Sequence, residues 1–505
     1  MKSILISGLL FGILASASAQ PVFVKDSLDI YVNREMKRWN IPAVAMAIVK
    51  DGKIVACKGY GTTESNGAKK VDENTLFQIA SNSKAFTGTA LAMLDARKKI
   101  SLDDKATKWL PYFSLKDPYA SKEATVRDLL CHRIGFQTFQ SDFLNWNCNL
   151  TRKEIIEGMK NVTPMYSFRS RWGYSNSAFL AAGEVIKAAT DTTWDDFVKY
   201  NFFNPLNMTR SSTYNSEIVK DKNAAVPYTI LKNKLTKLSY ANVDNLGPAA
   251  SINSCVKDMS NWLMCQLDSG KFNGKRVIPY EAIRTTRTPH TIAGRGGNNP
   301  DFPSNHFNLY GLGWGIKDYF GKAMYEHTGG ADGFVTSVCL FPEEKLGIVV
   351  LTNTDVNGLF LALREQIMLA YFNQPYVNLS AADYKGYEEG NKQANEQIAE
   401  WEKKTSTKNN ELVSAADLVG TYINEVYGEV QIVRMGSTFA LKFSHHPQAT
   451  GELNYMSDDT FMCTYTYATW GIQLLKVKVE NGTVKSLIVK VNDFVDYQSY
   501  EFVKK

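Results

Sequence analysis

Two apolar hairpins far apart in the chain constrain its fold more than any other feature. Ala43 to Lys50 and Lys53 to Tyr60 are apolar, β-branched runs joined by Asp51-Gly52, a strong hairpin signal. Phe334 to Phe341 and Leu346 to Asn353 form a second pair around Pro342-Glu343-Glu344-Lys345. The stretch between them is mostly helical in spacing. Ser83 to Arg97 carries Phe86, Ala90, Leu91 and Leu94 on one side, and Ser177 to Ala189 and Met259 to Leu267 follow. Asp26 to Asn40 is helical as well, through Leu28, Tyr31, Met36 and Trp39. Strands at both ends with helices between predict an α+β fold. The terminal segments meet in one antiparallel sheet, and the middle forms a helical layer.

The two ends of the chain differ from this body. Lys2, the apolar run Ile4 to Leu14 and the small residues Ala17-Ser18-Ala19 read as a secretory signal over 1–19, which makes the product exported, periplasmic or secreted. The body then covers 20–379. Residues 380–410 are rich in Glu, Lys, Gln and Asn and read as a linker or exposed helix. Beyond Glu411 the pattern is short strands. Leu475 to Val479 and Val484 to Val491 flank Asn481-Gly482, another hairpin, so 411–505 is expected to close into a small barrel or sandwich.

Composition excludes several classes. A net charge of +6 over 505 residues is a solvated surface, with no stripe for nucleic acid. No later stretch approaches the ~18 apolar residues of a membrane span. Seven cysteines cannot all pair internally, and most read as small buried hydrophobes. Cys255 and Cys265, ten residues apart on one helix, lie about 15 Å from each other, beyond disulfide reach. There is no G-x-S-x-G elbow, H-E-x-x-H, Cys-x-x-Cys or P-loop, so no metal or cofactor is called for. His445-His446 before Pro447 reads as a solvated turn, and Gly311 to Gly315 as a bend entering a strand.

Chemistry concentrates in three short motifs. Ser81-Asn82-Ser83-Lys84 opens a helix, so residues i and i+3 share a face and the Lys84 amine can lie against the Ser81 hydroxyl. A serine needs a base to take its proton, and a crowded, buried lysine can serve. The pattern alone decides nothing, since Ser254-Cys255-Val256-Lys257 also fits it. Tyr-x-Asn occurs at Tyr174, Tyr240 and Tyr422. Only Tyr174-Ser175-Asn176 follows a glycine and precedes an apolar helix, which suits a phenol that shuttles a proton and an amide that orients a substrate. His327-Thr328-Gly329-Gly330 precedes the late hairpin; its small residues let a substrate lie along a strand edge, and the Gly330 N–H can join that of Ser81 as an oxyanion hole.

Taken together these motifs resemble the serine β-lactamase and penicillin-binding-protein superfamily, in its class C-like branch of D-aminopeptidases and esterases. The likeness runs from about Asp26 to Phe372. It includes Thr125 to Phe136, in which His132 is expected to pack beside the second motif, as well as Asn204 to Thr209 and Tyr310 to Gly315. It implies an antiparallel sheet flanked by helices, with a helical subdomain. It also implies Ser81 as acylated nucleophile, Lys84 as its partner, Tyr174 and Asn176 as second-motif residues, and His327 opening the third. Thr328, Gly329 and Gly330 continue that substrate-binding strand. Many relatives carry Lys where this chain has His327, and a neutral imidazole receives a substrate carboxylate poorly. The tail resembles the lipocalin-like domain appended to some of these hydrolases, which caps the active-site mouth or builds a homo-oligomer.

The function expected is hydrolysis of small peptides, amides or esters through an acyl-enzyme, with a D-amino acid next to the scissile bond. Its rivals are a true β-lactamase, a D-Ala-D-Ala carboxypeptidase and a non-catalytic sensor of cell-wall fragments.

Overall fold

A computed structural model describes residues 20–295, 305–405, 415–436, 438–457 and 459–505; the leader read over 1–19 lies outside them. Among the described residues one antiparallel sheet has eight strands: β1 (Ala43–Lys50), β2 (Lys53–Gly61), β3 (Thr291–Arg295), β4 (Phe307–Tyr310), β5 (Gly315–Tyr319), β6 (Lys322–Ala331), β7 (Phe334–Phe341) and β8 (Leu346–Thr352). Their spatial order is β2-β1-β8-β7-β6-β5-β4-β3. The early and late hairpins meet where β1 pairs with β8, from Val44 opposite Thr352 to Lys50 opposite Leu346.

Six helices position what matters here: α1 (Leu28–Trp39), α2 (Ser83–Ala96), α3 (Asn176–Thr190), α4 (Val256–Leu267), α5 (Leu359–Tyr371) and α6 (Leu379–Thr405). Side chains alternate across a strand, and β1 shows why it reads as a continuous apolar run. Ala43, Ala45, Ala47 and Val49 enter a core shared with α2, α3 and α4. Val44, Met46 and Ile48 enter a second core with α1 and α5. The sheet is therefore a middle layer, covered on both faces. Helix α2 lies inside the larger core, with the Phe86 ring stacked on Trp262 at 3.9 Å.

The tail forms a closed antiparallel barrel of eight consecutive strands, from Gly420–Asn424 to Ser499–Lys504, which pair with each other to complete the ring. Helix α6 links body and barrel. At its start Ser380 is buried against the Trp39 indole, and Tyr384 packs edge-on to the same ring at 5.0 Å. Further along, Ile398 and Trp401 pack on Met456, Met462 and Ile472 of the barrel.

A second joint corrects the reading of His445-His446 as a solvated turn. His446 is buried and stacks on Phe143, while its Nε2–H donates to the Trp146 carbonyl and its Nδ1 accepts from the Tyr427 hydroxyl at 2.8 Å. Phe143 belongs to the body by sequence but to the barrel by packing. His445 is half-buried, its ring 3.0 Å from the Asn149 amide oxygen. All seven cysteines are free thiols, five of them buried. Among the described residues no helix is long and apolar enough to cross a membrane.

Candidate active site

Ser81 lies in the turn Ala80–Asn82 that leads into α2. Ala80 has a φ of 47°, a left-handed backbone that costs a non-glycine residue about 1 kcal/mol. The turn is held from below: the Asn82 amide donates to the Thr336 hydroxyl at 2.8 Å, which donates in turn to the Ile79 carbonyl. Gly329 permits that approach, since a Cβ there would sit 2.1 Å from the Ile79 oxygen. One helical turn on, the fully buried Lys84 amine donates to Ser81 Oγ at 3.1 Å, to the Asn176 amide oxygen at 2.6 Å and to the Ala249 carbonyl at 2.9 Å. Burial holds its pKa well below the ordinary lysine value, against a smaller upward pull from Asp142.

Tyr174 and Asn176 are placed by the start of α3. Gly173 packs so tightly that a Cβ would meet the Phe136 carbonyl at 1.7 Å, and Ser175 caps the helix by accepting from the Ala178 N–H. The buried Tyr174 ring lies 4.5 Å from Lys84 Nζ. Its hydroxyl has no hydrogen-bond partner; burial raises its pKa and the Ser81 side chain partly offsets this. Asn176 donates to the buried Asp142 carboxyl at 2.7 Å. Burial and then the nearby Asp496 raise the Asp142 pKa. His132 supports the loop: its Nδ1 accepts from Ser175 N–H, and its ring lies 4.4 Å from that of Tyr174.

His327 sits on β6, where β5 no longer covers the strand, because the β5 pairing ends at Glu326. The stretch from His327 to Ala331 thus has one edge paired to β7 and one edge open. His327 Nδ1–H donates to the Thr328 carbonyl at 2.6 Å, and Nε2 accepts from the Tyr310 hydroxyl at 3.0 Å. Burial, then Lys84, lowers its pKa to about 4, so the imidazole is neutral at pH 7. Its bond is to Tyr310 and not to Tyr174.

These groups line one cavity of about 730 Å³. Ser81, Tyr174, Asn176, His327, Thr328, Gly329 and Gly330 all reach it, so the three motifs converge. The barrel supplies part of the wall through Asp493, Phe494, Val495 and Tyr497. A Cβ on Gly330 would lie 3.3 Å from the Phe494 ring, and Tyr497 packs 5.5 Å from Phe139. Lys317 also faces the cavity, but it is paired with Glu326 at 3.1 Å.

The family model for Beta-lactamase matches residues 28–372. The chain belongs to the Beta-lactamase family. Among similar curated proteins, Protein flp of Staphylococcus aureus (strain MW2) is 24% identical over 335 residues, covering 66% of this chain and 63% of that protein. The match thus spans less than two thirds of that relative's length. Penicillin-binding protein 4* of Bacillus subtilis (strain 168) is 23% identical over 346 residues, covering 64% of this chain and 71% of that protein. Among solved structures, the octameric penicillin-binding protein homologue from Pyrococcus abyssi aligns over 94% of this chain and 99% of its own, with a TM-score of 0.60 at 19% identity. A D-stereospecific amidohydrolase from Streptomyces sp. aligns over 68% of this chain and 98% of its own, with a TM-score of 0.54 at 20% identity. Both share the fold of this Beta-lactamase family member.

The competing motif copies serve structure. Ser254 shares a hydrogen bond with Ser211, Tyr240 donates to the Ala225 carbonyl, and Tyr422 donates to the Leu418 carbonyl inside the barrel. Asp142 and Tyr310 bond directly to motif residues but were not among the candidates; Tyr310 entered only as the first residue of the family-like segment Tyr310 to Gly315.

Proposed function

We propose that this chain is an exported serine hydrolase that acts through an acyl-enzyme on small peptides, amides or esters, with a D-amino acid beside the scissile bond. The observation that carries the reading is the 3.1 Å contact between Ser81 Oγ and a fully buried Lys84 amine. Burial lowers the Lys84 pKa and so raises the share of neutral amine, the form that can accept the hydroxyl proton as Oγ attacks the carbonyl. The new C–O bond pushes negative charge onto the carbonyl oxygen, between the backbone N–H groups of Ser81 and Gly330. Collapse expels the leaving group, which takes the proton back by way of Lys84 or Tyr174. Water then attacks the ester, and the same groups return the proton to Ser81. Asn176 and the open edge of 327–330 hold the substrate.

The neutral His327 weighs against β-lactam turnover, because it offers no cation to a substrate carboxylate. The Streptomyces neighbour is a D-stereospecific amidohydrolase, in line with the reading. The leader-like segment over 1–19 supports export. Ser81→Ala tests the core claim. Turnover of a panel of D- and L-aminoacyl amides and esters, and labelling by a fluorophosphonate, are both expected to vanish; labelling retained in that variant overturns the assignment.

A further inference from the structure

Strand β6 runs past Gly330 to Ala331, and the next residue, Asp332, begins the tight turn into β7. Asp332 is 2% exposed and lines the same cavity as Ser81. Its Oδ1 accepts from the Trp146 indole N–H at 3.2 Å, the Asn147 side chain lies beside the carboxyl, and its Oδ2 accepts no formed hydrogen bond. Some buried acids are matched to bases, Glu326 to Arg364 and Lys317, Asp128 to Arg133 and Arg169, Asp195 to Arg152, whereas Asp142, Asp258, Asp355 and Asp496 are held by neutral donors. Asp332 has no such base among the described residues, and burial lifts its pKa to about 6. Burial, and to a smaller extent Asp332, also pushes up the pKa of the nearby Asp355, which is held by the Gly333 N–H. A buried carboxyl without a base is costly unless something else supplies the charge.

A turn alone does not call for this arrangement, since an amide at position 332 would satisfy the turn and the indole equally well. What a carboxyl adds is an acceptor for a cation, beside an indole that also attracts positive charge. Two residues of extended chain cover about 6.6 Å, so Asp332 stands within reach of a small substrate held at Gly330. The basic amine nearest a scissile acyl carbonyl is the α-amino group of an N-terminal residue, because the leaving amide nitrogen is not basic.

We propose that Asp332 is an ammonium subsite: its free Oδ2, beside Trp146, receives the protonated α-amino group of the acyl residue, so the substrates carry a free N-terminus. This rests on the acyl-enzyme reading and deepens it.

The test compares D-alanine p-nitroanilide with its N-acetyl derivative on the full-length protein. Wild type is expected to favour the free amine in kcat/KM by about tenfold or more, the scale of one charge-assisted hydrogen bond. Asp332→Asn is expected to erase most of that ratio, chiefly through KM. A second measurement needs no variant: 1-aminoethylboronic acid should inhibit wild type at least about tenfold more tightly than its N-acetyl form. Equal handling of the two substrates or the two boronates overturns the subsite, as does a ratio preserved in Asp332→Asn. Fluorophosphonate labelling at Ser81 separates the two claims. If labelling persists while the preference is absent, the subsite alone fails; without labelling the acyl-enzyme reading fails and takes the subsite with it.

Discussion

Asn176 donates to Asp142 at 2.7 Å, and that bond fixes which end of the amide faces the Lys84 amine. A free amide can turn over and present its NH₂ group to Lys84, where two donors would oppose each other. Asp142 is therefore a positioning residue for the proposed base. Asp142→Ala is expected to lower kcat on the order of 10²-fold with a smaller change in KM, the scale of a misplaced catalytic group. Steady-state kinetics and the pH profile of kcat check this together; an unchanged profile would mean that the amide holds its orientation without the acid.

Lys84 should set the acid limb of activity. Its pKa is lowered, so the neutral form grows as pH rises through that value, and kcat/KM climbs with it to a plateau. His327, lowered to about 4, adds no second limb near pH 6. Lys84→Met is expected to cost about 10²- to 10⁴-fold in kcat, the usual weight of a general base.

Gly329→Ala tests the clearance under the nucleophile. The added methyl would meet the Ile79 carbonyl and the Thr336 hydroxyl, both of which hold the Ser81 turn. A loss of about 1–3 kcal/mol in stability is expected from overpacking, and the loss of activity should exceed what the fraction unfolded explains. Thermal unfolding paired with active-site titration separates the two.

How much of this was legible in the sequence follows from the range of the interactions. Ser81 and Lys84 are neighbours through one turn of helix, and Tyr174 and Asn176 flank a helix cap, so local spacing revealed them. Asp142 and Tyr310 matter only because the chain brings them in from 34 and 17 residues away, to Asn176 and His327 respectively. His446 misled for the same reason. A histidine pair before a proline has the composition of a turn, and its burial depends on Phe143, Tyr427 and Trp146, none adjacent to it. The stretch 380–410 read as a linker or exposed helix, its apolar anchors too sparse to choose; most of it forms α6, and the few anchors it has meet two different cores.

The barrel joint gives two further expectations. Phe143→Ala removes a ring enclosed by barrel side chains and should cost about 3–5 kcal/mol. Calorimetry reads that cost, and deletion of 411–505 should expose the same ring and yield an aggregating product.

His446 also contributes a pH dependence to folding. Burial lowers its pKa to about 4, so between roughly pH 6.5 and 4 the unfolded chain binds its proton and the folded chain does not. Stability from this group is full above about pH 6.5 and is lost as pH falls. Urea unfolding of wild type and His446→Gln across that window should show the difference between them narrowing in acid.

Helix α6 runs unbroken from the body, which it grips at its first turns and touches again where Asn391 and Asn395 donate to Asn233, to the barrel near its last turns. In a rod of this kind a single inserted residue turns everything downstream by about 100° and advances it by about 1.5 Å. Ile398 and Trp401 would then point away from the barrel, and the Phe494 loop would leave its seat above Gly330. Barrel turns can lengthen or shorten over evolution at little cost, but the residue count of this one helix is tied to the shape of the cavity beside Ser81.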